Sequence, residues 1–271
     1  MTVDSIAARL EAAGVPDPLF DALCLAEHFE GKTRAALLFD KAAPLSADGL
    51  EEAVRRREMR EPLQYILGEW EFMGLPFVTD GSCLIPRPDT ELLAGEVITR
   101  IPENGTLLDM CTGSGCIAVA AAKYRPDISA VGADISNEAI LTARKNAELN
   151  GVADRVSFEV RDVRVPWEGG EKFDAVVANP PYVTAEEMDA VAPELGFEPR
   201  IALTDGGDGL SLIRAFVLFA LGAVGKGGFI AVEHGAKQGE KVSGIFESSG
   251  LVPRTLPDIE GRPRVTLAER I

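Results

Sequence analysis

The tetrapeptide Asn179-Pro180-Pro181-Tyr182 is the segment of the chain best suited to hold a planar amino group. Prolines have no N–H and fix φ near about −65°, so this turn presents carbonyl acceptors with few competing donors. The Asn179 amide adds a further acceptor, and the Tyr182 ring can cover the face of a planar group. Asn-Pro and Pro-Pro also occur commonly in ordinary loops, so the tetrapeptide alone is equally compatible with a simple loop that ends a strand.

A second candidate site is a glycine loop that follows the apolar segment 106–110. Gly113 and Gly115 let a ligand approach the backbone at the mouth of the next helix. Asp134 lies about 20 residues downstream at the end of the second predicted strand, where a carboxylate can accept both ribose hydroxyls. Asp162 follows the third strand in the equivalent position. Either aspartate alone could be a helix cap or a loop residue, but the ordered set favours a nucleoside pocket.

Two nucleoside cofactors compete for this pocket. The pattern Gly113-x-Gly115-x-x-Ala118 fits the dinucleotide fingerprint, so a nicotinamide cofactor must be considered. Asp109 argues against it, because a carboxylate at the strand end would repel a pyrophosphate. S-adenosylmethionine carries a sulfonium and an amino group and no phosphate, so an acidic pocket edge suits it. We therefore expect methyl transfer rather than hydride transfer.

The elements that must position these residues alternate between strand and helix from Thr106 onward, which indicates an α/β fold with a parallel, helix-covered sheet. We predict strands at 106–110, 129–133, 156–160, 173–178 and 228–233, and a C-terminal pair that ends with 265–269. Ser136 is predicted to cap a helix that stops at Gly151. The tetrapeptide follows strand 173–178 and therefore lies at the carboxyl edge, where open α/β sheets bind ligands.

The first part of the chain has a different character. Residues 1–67 are predicted to form a small helical domain, residues 68–85 a linking β-hairpin around Met73-Gly74, and residues 86–271 the large α/β domain. Ser46 is predicted to open a helix that carries the charge run Arg55-Arg56-Arg57. Charge runs are usually exposed, so we expect this one to be a solvated helix face.

Composition limits the classes of function. The net charge is −16, from 43 acidic and 27 Lys plus Arg residues, and such a surface repels the phosphate backbone of nucleic acids. No apolar stretch approaches the roughly 20 residues that span a bilayer, and the N-terminus lacks the features of a signal peptide. The four cysteines show neither metal-ligand nor disulfide spacing. We expect a cytoplasmic monomer that binds no metal, no membrane and no nucleic acid.

At this point the chain resembles a known family, the class I S-adenosylmethionine-dependent protein-(glutamine-N5) methyltransferases that modify peptide chain release factors. The resemblance covers nearly the whole chain and includes the glycine loop and the Asn-Pro-Pro-Tyr turn, which adenine-N6 DNA methyltransferases share. More specific are the segments Pro62-Leu63-Gln64-Tyr65-Ile66-Leu67-Gly68, Glu71-Phe72-x-Gly74, Ile85-Pro86-Arg87-Pro88-Asp89-Thr90-Glu91, Glu198-Pro199-x-x-Ala202-Leu203, Gly207-Asp208-Gly209-Leu210 and Asp258-x-x-Gly261-x-x-Arg264. Two departures are Cys111, where the family usually has the first glycine of its loop, and Asp89, where it usually has Glu.

The resemblance implies a Rossmann-like, mostly parallel sheet with an antiparallel C-terminal strand, and release factors as the partner that the helical domain docks. Asn179, Pro180 and Tyr182 would be catalytic, and the same residues with Pro181 would bind the glutamine of a Gly-Gly-Gln loop. S-adenosylmethionine, converted to S-adenosylhomocysteine, would be held by a larger set: Asp109, Cys111, Thr112, Gly113, Ser114, Gly115, Asp134, Asp162, Val163 and Asn179.

Three alternatives remain at this stage. The same turn could grip a flipped adenine, although the acidic charge and the lack of a basic target-recognition insert argue against it. A ribosomal protein could supply the glutamine instead of a release factor. The chain could also be a catalytically silent, cofactor-binding interaction module, which the intact tetrapeptide makes a weak explanation.

Overall fold

The computed structural model describes residues 1–170 and 172–271, and the chain divides into two compact units. The smaller unit comprises Met1–Glu69 together with Ala192–Phe197, and the larger unit comprises Trp70–Val191 together with Glu198–Ile271. No helix within these described residues is both long enough and apolar enough to cross a membrane.

The smaller unit is helical, as the sequence predicts. Thr2 begins its first helix with a capping box, and Asp17 caps the second helix, which has Pro18 at its first position. Ile6, Leu10, Leu25, Leu50 and Val54 are fully buried in this unit. Its helices are α1 (Val3–Ala12), α2 (Pro18–Glu30), α3 (Arg34–Phe39), α4 (Leu50–Glu58) and α5 (Leu63–Leu67), with a 3-10 helix at Pro193–Phe197.

Two predictions for α4 are wrong. The helix begins at Leu50 after Gly49, whereas Ser46 and Ala47 lie outside it and donate their backbone N–H groups to the carboxylate of Glu30. The Glu30 carboxylate, rather than the first turn of a helix, therefore accepts the hydrogen bonds of these two backbone N–H groups.

The charge run on α4 is also not uniformly solvated. Arg57 is only 5% exposed, and its guanidinium donates to Asp21 at 2.6 Å and to Glu194 at 2.9 Å. Arg57 lies three residues after Val54 and four after Ala53, so it shares their buried helical face. Arg55, by contrast, is exposed, as expected.

The larger unit is built on a seven-stranded sheet in the order β5-β4-β3-β6-β7-β9-β8, and a separate hairpin of β1 and β2 precedes it. The strands are β1 (Glu69–Phe72), β2 (Leu75–Val78), β3 (Thr106–Met110), β4 (Ser129–Asp134), β5 (Val156–Val160), β6 (Phe173–Ala178), β7 (Val224–Glu233), β8 (Arg254–Pro257) and β9 (Pro263–Glu269). The helices are α6 (Thr90–Arg100), α7 (Cys116–Tyr124), α8 (Asn137–Leu149), α9 (Arg200–Leu203), α10 (Ser211–Ala223) and α11 (Gly239–Ser248), with a 3-10 helix at Glu187–Ala190.

The sheet topology confirms the predicted fold class. β3 pairs in parallel with β4 and with β6, and β9 pairs antiparallel with β7. Along the chain, strands are added on one side of β3 up to β5, and the next strand, β6, is added on its other side. The crevice between the carboxyl ends of β3 and β6 is therefore the topological switch point, where such sheets bind ligands. The strand predictions are correct in number and place; β7 is longer than predicted because it starts at Val224 rather than at Gly228.

Side chains alternate across the sheet and build a core on each face. Leu107 packs with α6, α7 and α8, whereas its neighbour Leu108 packs with α10 and α11. The hairpin belongs to the first of these cores, since Phe72 and Phe77 are buried there in an edge-to-face contact with ring centroids 5.9 Å apart. Two covered faces make the sheet a rigid platform for the loops at its carboxyl edge.

Candidate active site

A cavity of about 280 Å³ opens at the carboxyl ends of β3, β4, β5 and β6, within the larger unit. This volume is near the lower end of the about 300–1,000 Å³ that is typical of small-molecule sites. Met110 pairs with Ala178, so the glycine loop and the tetrapeptide leave the sheet at the same level. Nine of the predicted site residues line the cavity: Cys111, Thr112, Gly113, Ser114, Asp134, Asp162, Val163, Asn179 and Pro181.

The glycine loop has an unusual backbone. Cys111, Gly113 and Gly115 all have positive φ, at 56°, 55° and 79°. Gly113 lines the cavity, whereas Gly115 does not and instead packs tightly: a Cβ there would lie 3.0 Å from Ala143 and 3.1 Å from Phe158. Gly115 therefore shapes the start of α7 without lining the cavity.

Cys111 is one of the two residues that depart from the family pattern, and its positive φ explains why a glycine is usual at this position. A left-handed non-glycine residue costs on the order of 1 kcal/mol, which glycine avoids. Burial raises the pKa of the Cys111 thiol well above its ordinary value, with further contributions from Asp134, Asp109 and Asp162. The thiol is therefore a neutral, weakly polar wall of the cavity.

Asp134 is the carboxylate best placed to hold a diol. Its Oδ2 accepts from the Gly113 N–H at 2.9 Å and its Oδ1 from the Ser136 N–H at 2.9 Å, which leaves lone pairs on both oxygens. Burial raises the pKa of Asp134, and these backbone donors partly oppose the shift. Two vicinal hydroxyls match this arrangement.

Asp109 lies beneath the loop and does not line the cavity. It is fully buried, and its Oδ2 accepts from the Thr112 hydroxyl at 2.6 Å, while Oδ1 has no hydrogen-bond partner within 3.5 Å among the described residues. Burial raises the pKa of Asp109 to about 7, although the Thr112 hydroxyl and the Ala118 N–H favour the ionised form. The structure places this predicted cofactor residue as a support of the loop.

Asp162 lies at the wall of the cavity in an ion pair with Arg164. The guanidinium of Arg164 donates to Oδ2 at 2.7 Å, and this hydrogen bond lowers the pKa of Asp162. Val163, beside it, is buried and lines the cavity. A ligand that hydrogen-bonds Asp162 therefore meets an ionised carboxylate that a cation already orients.

The tetrapeptide presents its members in different directions. Asn179 is half-buried and lines the cavity, and its Nδ2 donates to the Thr90 hydroxyl oxygen at 3.1 Å, so Oδ1 is the end of the carboxamide left for a ligand. Pro181 lines the cavity, whereas Pro180 is buried and does not.

Tyr182 is also placed away from the cavity lining. Its hydroxyl donates to Glu233 Oε1 at 3.2 Å, and its carbonyl accepts from the Gln238 side chain at 3.0 Å. Burial raises the pKa of Tyr182, and the negative charge of Glu233 raises it further. The phenol is therefore neutral and anchored at both ends, and a stacking role for its ring remains a prediction.

Sequence reasoning missed several residues of this site. Thr90 lines the cavity, and Glu233 ends β7 next to the tetrapeptide. The only signals were the position of Thr90 in a motif segment and the position of Glu233 at a strand end. Arg87 also lines the cavity and forms an ion pair with the buried carboxylate of Glu198, which in turn accepts from the Ile85 N–H at 3.0 Å.

The donor set fits a nucleoside that carries a cationic tail. A half-buried carboxylate with open lone pairs lies next to a glycine-lined backbone, and none of the groups that set the pKa of Asp134 is a cation. Such an edge accepts hydroxyls and attracts positive charge, and the three arginines that line the cavity, Arg87, Arg161 and Arg164, are each already paired with a carboxylate. The residues present therefore suit S-adenosylmethionine better than a dinucleotide.

Comparisons with known proteins agree with this geometry. Residues 88–217 match the sequence model of the methyltransferase small domain, and residues 2–68 match that of the PrmC N-terminal domain. The chain is 40% identical to a release factor glutamine methyltransferase of Neisseria gonorrhoeae over 93% of each chain. It is 38% identical to one of Moorella thermoacetica over 97% of this chain and 95% of that relative.

A solved structure supports the fold alone. A ribosomal protein L11 methylase from Lactobacillus delbrueckii subsp. bulgaricus superposes with a TM-score of 0.51 at 22% sequence identity, over 70% of this chain and 83% of that one.

Proposed function

Because the chain belongs to the family of release factor glutamine methyltransferases, we propose that it methylates the side-chain amide nitrogen of the glutamine in the Gly-Gly-Gln motif of peptide chain release factors. The methyl donor is S-adenosylmethionine. The observation that carries this proposal is the shared cavity, in which Asn179 and Pro181 face the same space as Gly113 and Asp134.

The cofactor, when bound, supplies a methyl group on a sulfonium that is already an activated leaving centre. Asp134 would accept the two ribose hydroxyls, and the backbone at Gly113 would allow the close approach of the ligand. Cys111, Thr112, Ser114, Asp162 and Val163 would complete the walls.

The tetrapeptide would hold the acceptor amide. An amide nitrogen is a poor nucleophile because its lone pair is delocalised into the carbonyl. Asn179 Oδ1 and the Pro180 carbonyl would accept the two N–H bonds and orient the nitrogen toward the methyl group, and well-oriented pairs gain several kcal/mol in this way. The N-protonated product amide is strongly acidic, so it can lose its proton without a dedicated base.

The smaller unit would dock the protein substrate. Its helical segment matches the PrmC N-terminal domain, and it carries apolar side chains that face solvent, with Phe39 94% and Met59 65% exposed. Exposed aromatic and Met side chains are enriched at protein–protein interfaces. No chemical motif of the sequence lies in this unit, which fits a docking role better than a catalytic one.

The test is mass spectrometry of an unmethylated release factor after incubation with the protein and S-adenosylmethionine. One added methyl group on the Gly-Gly-Gln glutamine is the expected result. Duplex DNA and ribosomal proteins run in parallel reactions. Methylation of adenine or of a ribosomal protein, with the release factor unchanged, would refute the proposed substrate.

A further inference from the structure

We infer that Gln238 is a positioning residue for the proposed methyl transfer, because its side chain clamps the last peptide unit of the Asn-Pro-Pro-Tyr turn. The inference rests on the proposed function, since that turn is the segment that would hold the acceptor amide. Gln238 is buried, directly precedes α11 and does not line the cavity. It would therefore act on the substrate only through Tyr182.

The carboxamide of Gln238 is hydrogen-bonded at both ends to backbone groups. Its Oε1 accepts from the Gly235 N–H at 2.9 Å. Its Nε2 donates to the Tyr182 carbonyl oxygen at 3.0 Å and to the Gly209 carbonyl oxygen at the longer distance of 3.4 Å. A backbone N–H can only donate and a carbonyl can only accept, so these partners fix which end of the carboxamide carries the oxygen. The side chain thereby links the loop before α11, the loop before α10 and the turn.

The peptide unit that joins Tyr182 to Val183 is held from both sides. Its carbonyl oxygen accepts from Gln238, and its N–H donates to the Leu203 carbonyl oxygen at 2.9 Å. Because a peptide group is planar, two hydrogen bonds on its opposite edges fix the rotation of the whole unit. The other end of the turn follows β6, and the two prolines between have little backbone freedom of their own. The Tyr182 carbonyl is therefore the point at which a change of the Gln238 side chain reaches the turn.

The loop that carries Gln238 is itself fixed by His234, which is fully buried. Its Nδ1 lies 3.0 Å from the Gly235 carbonyl oxygen, which can only accept, so Nδ1 carries a proton. Its Nε2 lies 2.9 Å from the Thr266 hydroxyl oxygen, and burial lowers the pKa of His234, which favours the neutral ring. In a neutral ring with a protonated Nδ1, Nε2 accepts from the Thr266 hydroxyl. The structure therefore assigns the Nδ1–H tautomer to His234.

The clamp acts where the proposed reaction needs precision. Asn179 Oδ1 and the Pro180 carbonyl would accept the two N–H bonds of the substrate amide, and both belong to the same turn as the clamped carbonyl. A displacement of about an ångström in such a site can lower the rate about 10²-fold. Asp134 and the glycine loop lie on other strands and would stay in place. Loss of the clamp should therefore lower kcat and leave cofactor binding unchanged.

The test compares two substitutions of Gln238. Gln238→Glu keeps the shape of the side chain and replaces the NH₂ donor by an acceptor, which would face the carbonyl oxygens of Tyr182 and Gly209. Gln238→Met removes both the donor and the acceptor at a similar side-chain length. We expect each variant to lower kcat about 10- to 100-fold, while the Kd for S-adenosylmethionine and the KM for the release factor stay unchanged.

Asn150→Asp is the matched control for a merely structural loss. Asn150 is also a buried carboxamide, and its Nδ2 donates to two backbone carbonyls, those of Pro76 and Asn146, each at 2.9 Å. It follows the last residue of α8 and does not line the cavity. Like Gln238→Glu, this variant places an acceptor against two carbonyls, so its Tm should fall by a similar amount, but its kcat should be unchanged. The clamp is refuted if both Gln238 variants keep kcat within twofold of wild type, or if Asn150→Asp loses kcat as far as they do.

The tautomer of His234 can be observed directly. The chain has two histidines, His28 and His234, so the ring ¹⁵N signals of His234 are assigned by comparison with His28→Gln. We expect a protonated Nδ1 and an unprotonated Nε2. A protonated Nε2 would overturn the role of His234 in fixing the loop.

A measurement without turnover separates the clamp from the proposed function. The chain has three tyrosines, so protein labelled with fluorotyrosine gives few ¹⁹F signals, and that of Tyr182 is assigned by its absence in Tyr182→Phe. This signal should shift in both Gln238 variants and keep its position in Asn150→Asp. An unchanged Tyr182 signal in the Gln238 variants would overturn the clamp. A wild-type enzyme that leaves release factors unmethylated would refute the proposed substrate, while the ¹⁹F comparison would still test the clamp.

Discussion

Replacement of Gly209 by alanine should displace the tetrapeptide without changing any of its four residues. Gly209 lies in the loop before α10 with φ at 70°, and an added Cβ would lie 2.1 Å from the Tyr182 carbonyl oxygen and 2.7 Å from Gln238 Nε2. These two atoms are hydrogen-bonded to each other at 3.0 Å. The Cβ would therefore enter the bond that holds the end of the Asn-Pro-Pro-Tyr turn.

The size of the effect follows from two contributions. The left-handed backbone costs an alanine about 1 kcal/mol, and the collision costs a further 1–3 kcal/mol, roughly the range for overpacking. The free energy of unfolding should therefore fall by about 2–4 kcal/mol, which lowers Tm by roughly 5–15 °C in a chain of this size. Because relief of the collision requires Tyr182 to move by about an ångström, and such a displacement can cost 10²-fold in rate, kcat should fall about 100-fold.

Gly250→Ala is the matched control. Gly250 has φ at 79°, and a Cβ there would meet nothing within 4 Å. It carries the backbone strain without the collision, so its Tm should fall by only about 2–4 °C and its kcat should be unchanged. Thermal unfolding and methyl transfer to a release factor, measured on both variants, give the comparison. If the two alanine variants lose equal stability and equal activity, the reasoning from the Tyr182 contact is refuted.

Four further predictions concern other parts of the molecule. Asn179→Ala should lower kcat about 100-fold while the cofactor Kd, measured by calorimetry, stays constant; equal losses in both would refute the orienting role. Asp134→Asn should instead raise that Kd about 10- to 100-fold, because a charged hydrogen-bond acceptor is lost. Arg57→Ala should lower the free energy of unfolding in urea by about 3–5 kcal/mol, since it leaves Asp21 as a buried, unpaired acid. For Asp109, burial raises the pKa from 3.8 to about 7, so its contribution to stability is full below about pH 4 and is lost as the pH rises through 7. The stability of Asp109→Asn relative to wild type should therefore be higher at pH 8 than at pH 5, and a constant difference would contradict the assignment.

Most of the fold could be predicted because its signals are local. Apolar runs identify β3 to β6, with helices between β3 and β4 and between β4 and β5, and Ser136 caps α8 by accepting from the Ala139 N–H, as its position predicts. The failures occurred where a distant group decided the outcome. Ser46 is a typical helix cap by sequence, but the carboxylate of Glu30, 16 residues away, binds its N–H instead.

Arg57 failed for a related reason. A run of three arginines predicts a solvated face, and that rule ignores which residue of the run falls on the buried face of the helix. The positions of Ala53 and Val54 contained that information. What the sequence did not contain was the pair of acids that makes burial possible, since Asp21 and Glu194 are far from Arg57 along the chain.

The sequence predicts where the site lies, but not which role each of its residues has. The register between β3 and β6 brings the glycine loop and Asn179 to one cavity, and strand order alone makes this expected. Pro180 and Tyr182, which the sequence offers as equals of Asn179, do not line that cavity. Whether each side chain of a tight turn faces the cavity depends on the backbone angles of the turn, and the residue types alone do not determine those angles.

Three acids at strand ends show why these roles need the structure. Asp134 and Glu233 end β4 and β7, Asp109 is the last residue but one of β3, and by sequence each is an acid that follows an apolar run. Their environments separate them. Backbone N–H groups bind both oxygens of Asp134 and leave it open to the cavity, so it can hold a ligand.

Asp109 and Glu233 are both buried with one unpartnered oxygen, and burial raises both pKa values to about 7. They differ in the groups that donate to them. Asp109 receives the hydroxyl of Thr112 and thereby supports the loop that would contact the cofactor. Glu233 receives the hydroxyl of Tyr182, the last residue of the tetrapeptide that would hold the acceptor amide. The identity of the donor, more than the acid itself, therefore decides whether a strand-end carboxyl serves the cofactor or the acceptor amide.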